Sequence, residues 1–513
     1  MRYQTGNIGN KQISINMAAN IVAYASNLLI SFILTPFLIN TIGKETYSFY
    51  PIANTIVSYM SVLTNSMNTV ASRFVTVSLV QGKEKEANKY YSSVVAADFV
   101  MGIVLLVPML FLVLFLEKFM EVPINSIAAI KGLFSLVFAS TLVNIFGSVF
   151  GIATFAKNRI DLRSLREIVT AILRLILYVI LYNVFPPSII YVGIVTFLVA
   201  IVNVLFQYIY TRYLLPEIVI NRKNMSFRHI KEVLFSSVWN VINSLGNTLL
   251  TGMTLILSNL LYGAVAAGTY SIVQIVPGFI NGVITMLVGV FYPIITYKYA
   301  LNDKKDLVDE LLRSEKMIGF VTCATIVVFT ALSEEFFTLW TPNENAQFLS
   351  ILSAVTIIPH ICISCVWSLT NLNVVMNKIK IPAVFTLLIG IANIIISVVV
   401  YKIWNPGLIS LAIISTILQL LWIVIFIPQY ACKSLSLKWT TFYLPILHAL
   451  LCAVPVFIGV YILKQFVSID NWIKFIGFGG IMGIVALVVF AFGMLGTDTI
   501  KECMQSIIKY IKD

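Results

Sequence analysis

Residues 43–48 read GKETYS, and residues 266–271 read AAGTYS, 223 positions later. Each stretch follows one long apolar run and precedes another. Charged segments then recur at matching places, with KEKEANK at 83–89 and KKDLVDELLR at 304–313. Internal similarity at a fixed spacing predicts two copies of one structural unit.

The pair Gly43-Lys44 also invites comparison with a phosphate-binding loop. That loop needs a glycine five residues before the Gly-Lys pair and a Ser or Thr directly after the lysine. Leu38 and Glu45 occupy these two places. The pattern therefore argues against nucleotide binding, and no nucleotide partner is expected.

Composition indicates the solvent in which the chain folds. Of 513 residues, 59% are hydrophobic and only 11% are charged, whereas soluble domains carry about 25% charged residues. Apolar runs of the ~20 residues needed to cross a bilayer recur along the whole chain. The sequence therefore predicts an all-α integral membrane protein.

About fourteen transmembrane helices are predicted from these apolar runs. Their ranges are 14–40, 47–72, 91–116, 128–156, 166–185, 188–214, 233–260, 269–297, 317–339, 348–376, 383–403, 407–430, 441–464 and 472–496. The segments on one side hold 27 of the 34 basic residues and those on the other hold six. Basic residues mark the cytoplasmic side, so both termini are expected in the cytoplasm, and the net charge of +12 reflects topology rather than nucleic-acid binding.

The repeat divides the predicted helices into lobes. Helices one to six form an N-terminal lobe over residues 12–216, and helices seven to twelve form a C-terminal lobe over 217–431. Residues 432–513 add a helix pair and a cytoplasmic tail. Because six is even, both lobes begin on the same side and should be related by an axis along the membrane normal.

Polar side chains recur every three or four residues along four predicted helices, which places them on one face of each helix. Hydrogen bonding between helices would explain any single residue, whereas a water-filled cavity between two lobes would explain all four faces together. The predicted cavity residues are Asn16, Asn20, Tyr24, Asn27, Asn54, Asn65, Asn68, Asn240, Asn243, Asn247, Gln274 and Asn281.

Few full charges fall within the predicted spans. Asp98 lies in the third helix, and Arg174 lies about eight residues into the fifth, ~12 Å from its cytoplasmic end at 1.5 Å per residue. Either the two form an ion pair, or Arg174 contacts a phosphate and Asp98 binds a proton or cation. With Arg73 at a cytoplasmic mouth, they are the candidates for headgroup binding or ion coupling. Asp98 is predicted to be the only deep carboxylate.

Other reactive side chains are interpreted as packing groups. His360 and His448 are lone histidines in apolar helices, and Cys362 and Cys365 form a CxxC within a predicted span. The sequence holds no Walker motif and no HExxH, and every predicted external loop is short. No catalytic residue, metal or cofactor is therefore expected, and an enzyme is not favoured.

The chain resembles the polysaccharide-transporter flippases of the multidrug/oligosaccharidyl-lipid/polysaccharide exporter superfamily, of which the O-antigen flippases are familiar members. The resemblance rests on TPFL at 35–38, the GKETY turn at 43–47, ASRF at 71–74 and GKEKEA at 82–87. It implies a MATE-like, V-shaped bundle of two six-helix lobes that opens alternately to either side of a bacterial plasma membrane.

The resemblance also implies a substrate. An undecaprenyl pyrophosphate-linked oligosaccharide would cross to the outer leaflet for lipopolysaccharide or capsule synthesis. Membrane lipids, a polysaccharide polymerase and glycosyltransferases would be the partners. Cavities in this family are usually cationic, whereas the predicted polar faces here are rich in Asn, Ser and Thr, which suit sugar hydroxyls.

Several alternatives stay open at this point. A cation-coupled drug exporter of the same superfamily usually has twelve helices and an embedded acidic site, and a lipid II flippase commonly places arginines in its first cavity helix. A glycan polymerase would need a large external loop. A scaffold that transports nothing would tolerate substitutions along the Asn16–Asn27 face.

Overall fold

The computed structural model describes residues 7–301 and 303–496, which contain α-helices with short 3₁₀ and π segments and no β-strand. An α-helix pairs every backbone N–H and C=O within its own segment, as a hydrocarbon solvent requires. Within the described residues, one structural unit runs to Thr248 and includes Ser258–Gly268. The other comprises Leu249–Leu257 and the chain from Thr269 onward. The predicted lobe boundary at residue 216 falls within the first unit, and the predicted lobes remain a prediction.

The first unit is built from nine helices and part of a tenth. In chain order they are α1 (Asn7–Ile42), α2 (Lys44–Tyr47), α3 (Phe49–Val80), α4 (Glu84–Leu114), α5 (Leu116–Phe119), α6 (Ile127–Gly147), α7 (Ile152–Ala156), α8 (Ile160–Val184), α9 (Ile190–Leu214) and α10 (Phe227–Ala300). The α10 helix contributes residues to both units and is interrupted at Gly263, whose backbone has φ 85° and ψ 176°.

The second unit contains the remaining helices. They are α11 (Lys304–Ala331), α12 (Ser333–Trp340), α13 (Ala346–Ile357), α14 (His360–Ser364), α15 (Ser368–Val375), α16 (Lys380–Trp404), α17 (Leu408–Leu420), α18 (Ile427–Ser434), α19 (Leu444–Lys464) and α20 (Trp472–Phe490). π-helical turns follow α17 at Leu421–Phe426 and α20 at Ala491–Leu495.

Twelve helices in the described part of the chain are long and apolar enough to cross a membrane. The α10 helix counts once among them although Gly263 divides it, and α3 is absent from the set. The many Asn, Ser and Thr residues of α3 lower its hydropathy. The all-α membrane fold is therefore confirmed, whereas the count of fourteen spans stays a prediction.

One predicted span is wrong in its detail. The run 348–376 was expected as a continuous helix, but the structure divides it into α13, α14 and α15. Pro359 precedes α14, where a proline ring lacks the N–H that would continue the helical hydrogen bonds. A second interruption after Ser364 separates α14 from α15.

Close helix packing in the first unit depends on glycine. The α6 helix packs against α9. Gly147 of α6 lies against Val204 of α9, and Gly193 of α9 lies against Leu136 of α6. A Cβ at Gly193 would come within 3.2 Å of the backbone of Leu133. Lipid tails are as apolar as the helix faces, so close van der Waals contact between small residues drives association here.

The GKETYS turn contacts the similar stretch that contains Gly268, which is helical in α10. A methyl group added to Gly268 would lie 2.6 Å from the backbone oxygen of Lys44. Tyr47 and Ser48 beside this contact are buried. The turn before Tyr47 uses Gly43 at φ 81°, a left-handed backbone conformation that favours glycine. Gly268 and Lys44, which lie in the two similar stretches of sequence, are therefore in close contact, while the internal repeat itself stays a prediction.

Gly268→Ala is expected to destabilise the protein, because the new methyl group would press on a carbonyl that belongs to a packed backbone. Overpacking of this kind costs about 1–3 kcal/mol. Thermal unfolding in detergent would measure the change. Gly278→Ala is the matched control, since nothing lies within 4 Å of a Cβ at that helical position. Equal melting temperatures for both variants would contradict the proposed contact.

Candidate functional site

Helices α1 and α8 run parallel in the first unit with a constant register. The backbone N–H of Asp161 donates to Asn16 Oδ1 at 3.0 Å, and the rings of Phe37 and Tyr182 lie 5.5 Å apart. Both pairs are separated by 145 positions. The same offset places Arg174 level with residue 29 of α1, close in height to Asn27.

Arg174 lies farther from the start of its helix than the sequence pattern indicated. The α8 helix begins at Ile160 rather than at 166, so Arg174 is about fourteen residues, or ~21 Å, from its start. Its side chain is half-buried and forms no salt bridge with any described residue. A guanidinium placed midway along a span without an acidic partner is typical of a functional position.

Asp98 is held by neutral groups rather than by an arginine. Its carboxylate is 1% exposed. Ser148 Oγ donates to Oδ2 at 2.7 Å, and Asn68 Nδ2 donates to Oδ2 at 3.1 Å. The interpretation of Asp98 and Arg174 as an ion pair is therefore wrong. The physical reason is packing, because α4 packs against α3 and α6 whereas α8 packs against α1 and α9.

The side chain of Asn16 forms hydrogen bonds with the segment at the start of α8. Its Nδ2 donates to the backbone oxygen of Asn158 at 3.1 Å, and its Oδ1 accepts from Gln12 Nε2 at 3.0 Å as well as from the Asp161 N–H. Asn158 has a positive φ of 52°. Arg159 donates to the Asp161 carboxylate, which raises the pKa of that guanidinium. Asn16 therefore anchors the turn before α8, and its assignment to the cavity stays a prediction.

The other predicted cavity residues differ in exposure. In the first unit Asn20 and Asn65 are exposed, and the half-buried residues are Tyr24, Asn27, Asn54, Asn68, Asn240, Asn243 and Asn247. In the second unit Gln274 and Asn281 are half-buried. Arg73 is exposed near the end of α3. The structure brings Asn68 and Asp98 into direct contact, while the role of the remaining residues in a cavity stays a prediction.

Hydroxyl groups on the polar faces are already paired with their own helices. Ser58 Oγ donates to the Asn54 carbonyl at 2.8 Å, and Thr69 Oγ1 donates to the Asn65 carbonyl at 2.8 Å. Bonding to the carbonyl four residues earlier is the usual solution for Ser and Thr in apolar helices. The side chains of Asn20 on α1 and Asn65 on α3 are exposed.

One deep carboxylate was missed by the sequence reasoning. Glu315 is 0% exposed and lies eleven residues into α11, so the prediction that Asp98 is the only deep carboxylate is wrong. The charged run 304–313 hid Glu315, because it reads as a cytoplasmic segment although it is continuous with the helix. The small residues Ser314 and Gly319 around Glu315 were the available signal for close packing.

Twelve apolar helices of spanning length and glycine-mediated packing in the described chain define a multi-pass helical membrane protein. The chain matches the family described as "Polysaccharide biosynthesis protein" over residues 13–297. This match covers more than half of the chain, which therefore belongs to that family.

Similar proteins agree over nearly the full length. The chain is 25% identical over 505 residues to the "Uncharacterized membrane protein EpsK" of Bacillus subtilis (strain 168). The alignment covers 97% of this chain and 98% of the relative. The solved structure of the lipid II flippase MurJ in an inward closed conformation gives a TM-score of 0.66 at 14% identity, covering 93% of this chain and 98% of MurJ.

A multidrug resistance MATE family transporter in an inward-facing conformation gives a TM-score of 0.64 at 12% identity. That match covers 83% of this chain and 97% of the transporter. At such identities the likeness concerns the fold alone. The expected MATE-like fold is confirmed.

Asp98→Ala is expected to lower stability by about 1–3 kcal/mol, because it removes the acceptor that Asn68 and Ser148 share in a buried site. Thermal unfolding of the purified protein would measure the loss. Asn65→Ala, at an exposed position of the same α3 helix, should change stability by no more than ~0.5 kcal/mol. A tolerated Asp98→Ala would show that the cluster contributes little to the fold.

Proposed function

We propose that this protein is a flippase that moves a lipid-linked oligosaccharide across a bacterial plasma membrane by alternating access. Membership of a polysaccharide biosynthesis family supports the substrate class. The fold shared with MurJ and with a MATE transporter supports the mode of transport. Undecaprenyl pyrophosphate is the proposed carrier, and both termini are proposed to lie in the cytoplasm.

The observation that carries this proposal is the position of Arg174. Its guanidinium is half-buried about midway along α8, level with the Asn27 region of α1, and has no salt bridge to a described residue. A guanidinium binds phosphate oxygens through two parallel hydrogen bonds. A pyrophosphate group passing along this part of α1 and α8 would therefore meet a preformed cation.

Amide side chains suit the sugar part of the substrate. Sugar hydroxyls both donate and accept hydrogen bonds, and an asparagine side chain offers two donor positions and one acceptor oxygen. Asn20 and Asn65 are exposed on the polar faces of α1 and α3. We propose that these faces bind the oligosaccharide, with glycosyltransferases supplying the substrate and a polymerase consuming it.

Loss of the gene is expected to trap lipid-linked repeat units in the cytoplasmic leaflet and to abolish one surface polysaccharide. Accumulation can be measured by mass spectrometry of extracted undecaprenyl lipids, with the leaflet assigned by a membrane-impermeant glycan label. Accumulation of lipid II instead would assign the protein to peptidoglycan precursors. Unchanged lipid-linked sugars, in a strain without a redundant flippase, would refute the proposal.

Arg174→Gln is expected to reduce surface polysaccharide at least ~10-fold in a complemented deletion strain, since it removes the proposed phosphate contact. Arg174→Lys should retain more activity than Arg174→Gln, because it keeps the charge but loses the paired geometry. Arg163→Gln is the matched control on α8, where Arg163 is exposed and pairs with Glu167. Equal activity of the Gln variants at normal protein levels would count against a substrate role for Arg174.

A further inference from the structure

Glu315 is a buried carboxylate without a hydrogen-bond partner. Its side chain is fully inaccessible, and neither Oε1 nor Oε2 has a partner among the described residues. An ionised carboxylate in such surroundings carries a large desolvation cost unless it is paired. Glu310, five residues earlier on α11, forms a salt bridge with Lys298 at 3.1 Å. Glu315 has no such basic partner among the described residues.

Helix α19 lies beside Glu315 in a parallel register. Lys464 Nζ donates a hydrogen bond to the backbone oxygen of Ala331 at 2.9 Å. This bond places residues that are 133 positions apart in sequence at the same height on the two helices. Gly319 of α11 and Cys452 of α19 each lie twelve residues before this bond. Both contact the π-helical turn after α20, Gly319 through Met494 and Cys452 through Gly493. Because both levels keep the same offset, His448 of α19 lies at the height of Glu315, within about one helical turn.

His448 is a second titratable residue at this level and is half-buried. Its Nδ1 is buried and has no hydrogen-bond partner in the described structure. Among the described residues, two thiols lie close enough to interact electrostatically with Glu315, namely Cys365 between α14 and α15 and Cys432 on α18. In the described chain, α20 and the π-helical turn after it present no titratable side chain at this height.

The layer above this level is tightly packed and apolar. A Cβ at Gly319 would lie 2.7 Å from Met494 Cε and 2.8 Å from Cys365 Sγ. Cys452 and Gly493 approach each other in the same layer. This packed layer lies between the Glu315–His448 level and the C-terminal ends of α11 and α19.

We propose that Glu315 and His448 together bind one proton in a site between α11 and α19. In one form the proton is on a Glu315 oxygen and the imidazole is neutral. In the other form the proton is on the imidazole and the carboxylate is ionised beside it. The two forms have the same total charge, and in the second form the imidazolium offsets the charge of the ionised carboxylate.

A proton fits this site better than a metal cation does. Sodium and other hard cations need several oxygen ligands, whereas the groups nearest Glu315 include thiols and a thioether one turn away. The described residues contain no group of three or more His, Cys, Asp or Glu side chains that could hold a metal ion. A proton needs only the carboxyl and imidazole groups.

The site lies outside the polar faces assigned to the oligosaccharide. If the proposed flippase function holds, protonation here would link transport to the proton gradient through α11 and α19. Proton binding itself does not depend on that function. The two proposals can therefore fail separately.

The test is carbodiimide labelling of the purified full-length protein in lipid nanodiscs without substrate, read by peptide mass spectrometry. Carbodiimides react with protonated carboxyl groups in apolar surroundings. At about pH 7.5, Glu315 should be labelled at least ~10-fold more than the exposed Glu84, because an exposed glutamate is almost fully ionised there. Labelling no greater than that of Glu84 would overturn the proposal.

Two further arms test the ligand and the partner. Replacing choline chloride with sodium chloride should leave labelling unchanged, and protection by sodium would overturn the proton assignment in favour of a cation site. His448→Gln should raise labelling of Glu315 at least ~2-fold, since the proton would then remain on the carboxyl group. His360→Gln is the control, because His360 Nδ1 already contacts the Thr356 carbonyl at 3.0 Å. Equal labelling in both histidine variants would refute a shared proton.

Discussion

The structure depends on one constraint, which is that the hydrocarbon core of a bilayer offers no hydrogen-bond partners. Backbone groups meet this constraint by forming helices, and Ser and Thr hydroxyls meet it by bonding to their own helices, as Thr69 does with the Asn65 carbonyl. Asp98 meets it through Asn68 and Ser148. Groups that lack such a partner among the described residues therefore stand out as functional candidates.

Close contact between helices sets the position along the helix axis of the candidate functional groups Arg174 and Glu315. Helices α1 and α8 are aligned by Asn16 with Asp161 and by Phe37 with Tyr182. Helices α11 and α19 are aligned by the bond from Lys464 to Ala331. Small residues make such close approach possible, because dispersion contacts replace the hydrophobic effect as the driving force between helices in lipid. The cation at Arg174 and the carboxyl group at Glu315 thereby take separate places, one in each unit.

Sequence reasoning identified the helical membrane fold and the polar faces because periodicity and hydropathy are local properties. It failed where a side chain's surroundings come from distant segments. Of the two alternatives for Asp98 and Arg174, the ion pair is wrong, since two charges at similar predicted depth need not lie on neighbouring helices. Glu315 was missed because its burial comes from other helices, including α14, α19 and α20, which the sequence pattern of α11 does not reveal. The start of α8 was predicted six residues too late, because its first turn is held by Asn16 of α1.

By itself, the sequence determined that the chain is a helical membrane protein, and it predicts an internal repeat and a bias of basic residues to one side. These properties follow from composition and spacing, which act along the chain. Only the tertiary structure decided that the GKETYS turn packs on Gly268, that Asp98 is bonded to neutral groups and that Glu315 lies level with His448. The physical reason is that partners and burial are set by helix register, and register depends on contacts between residues far apart in sequence.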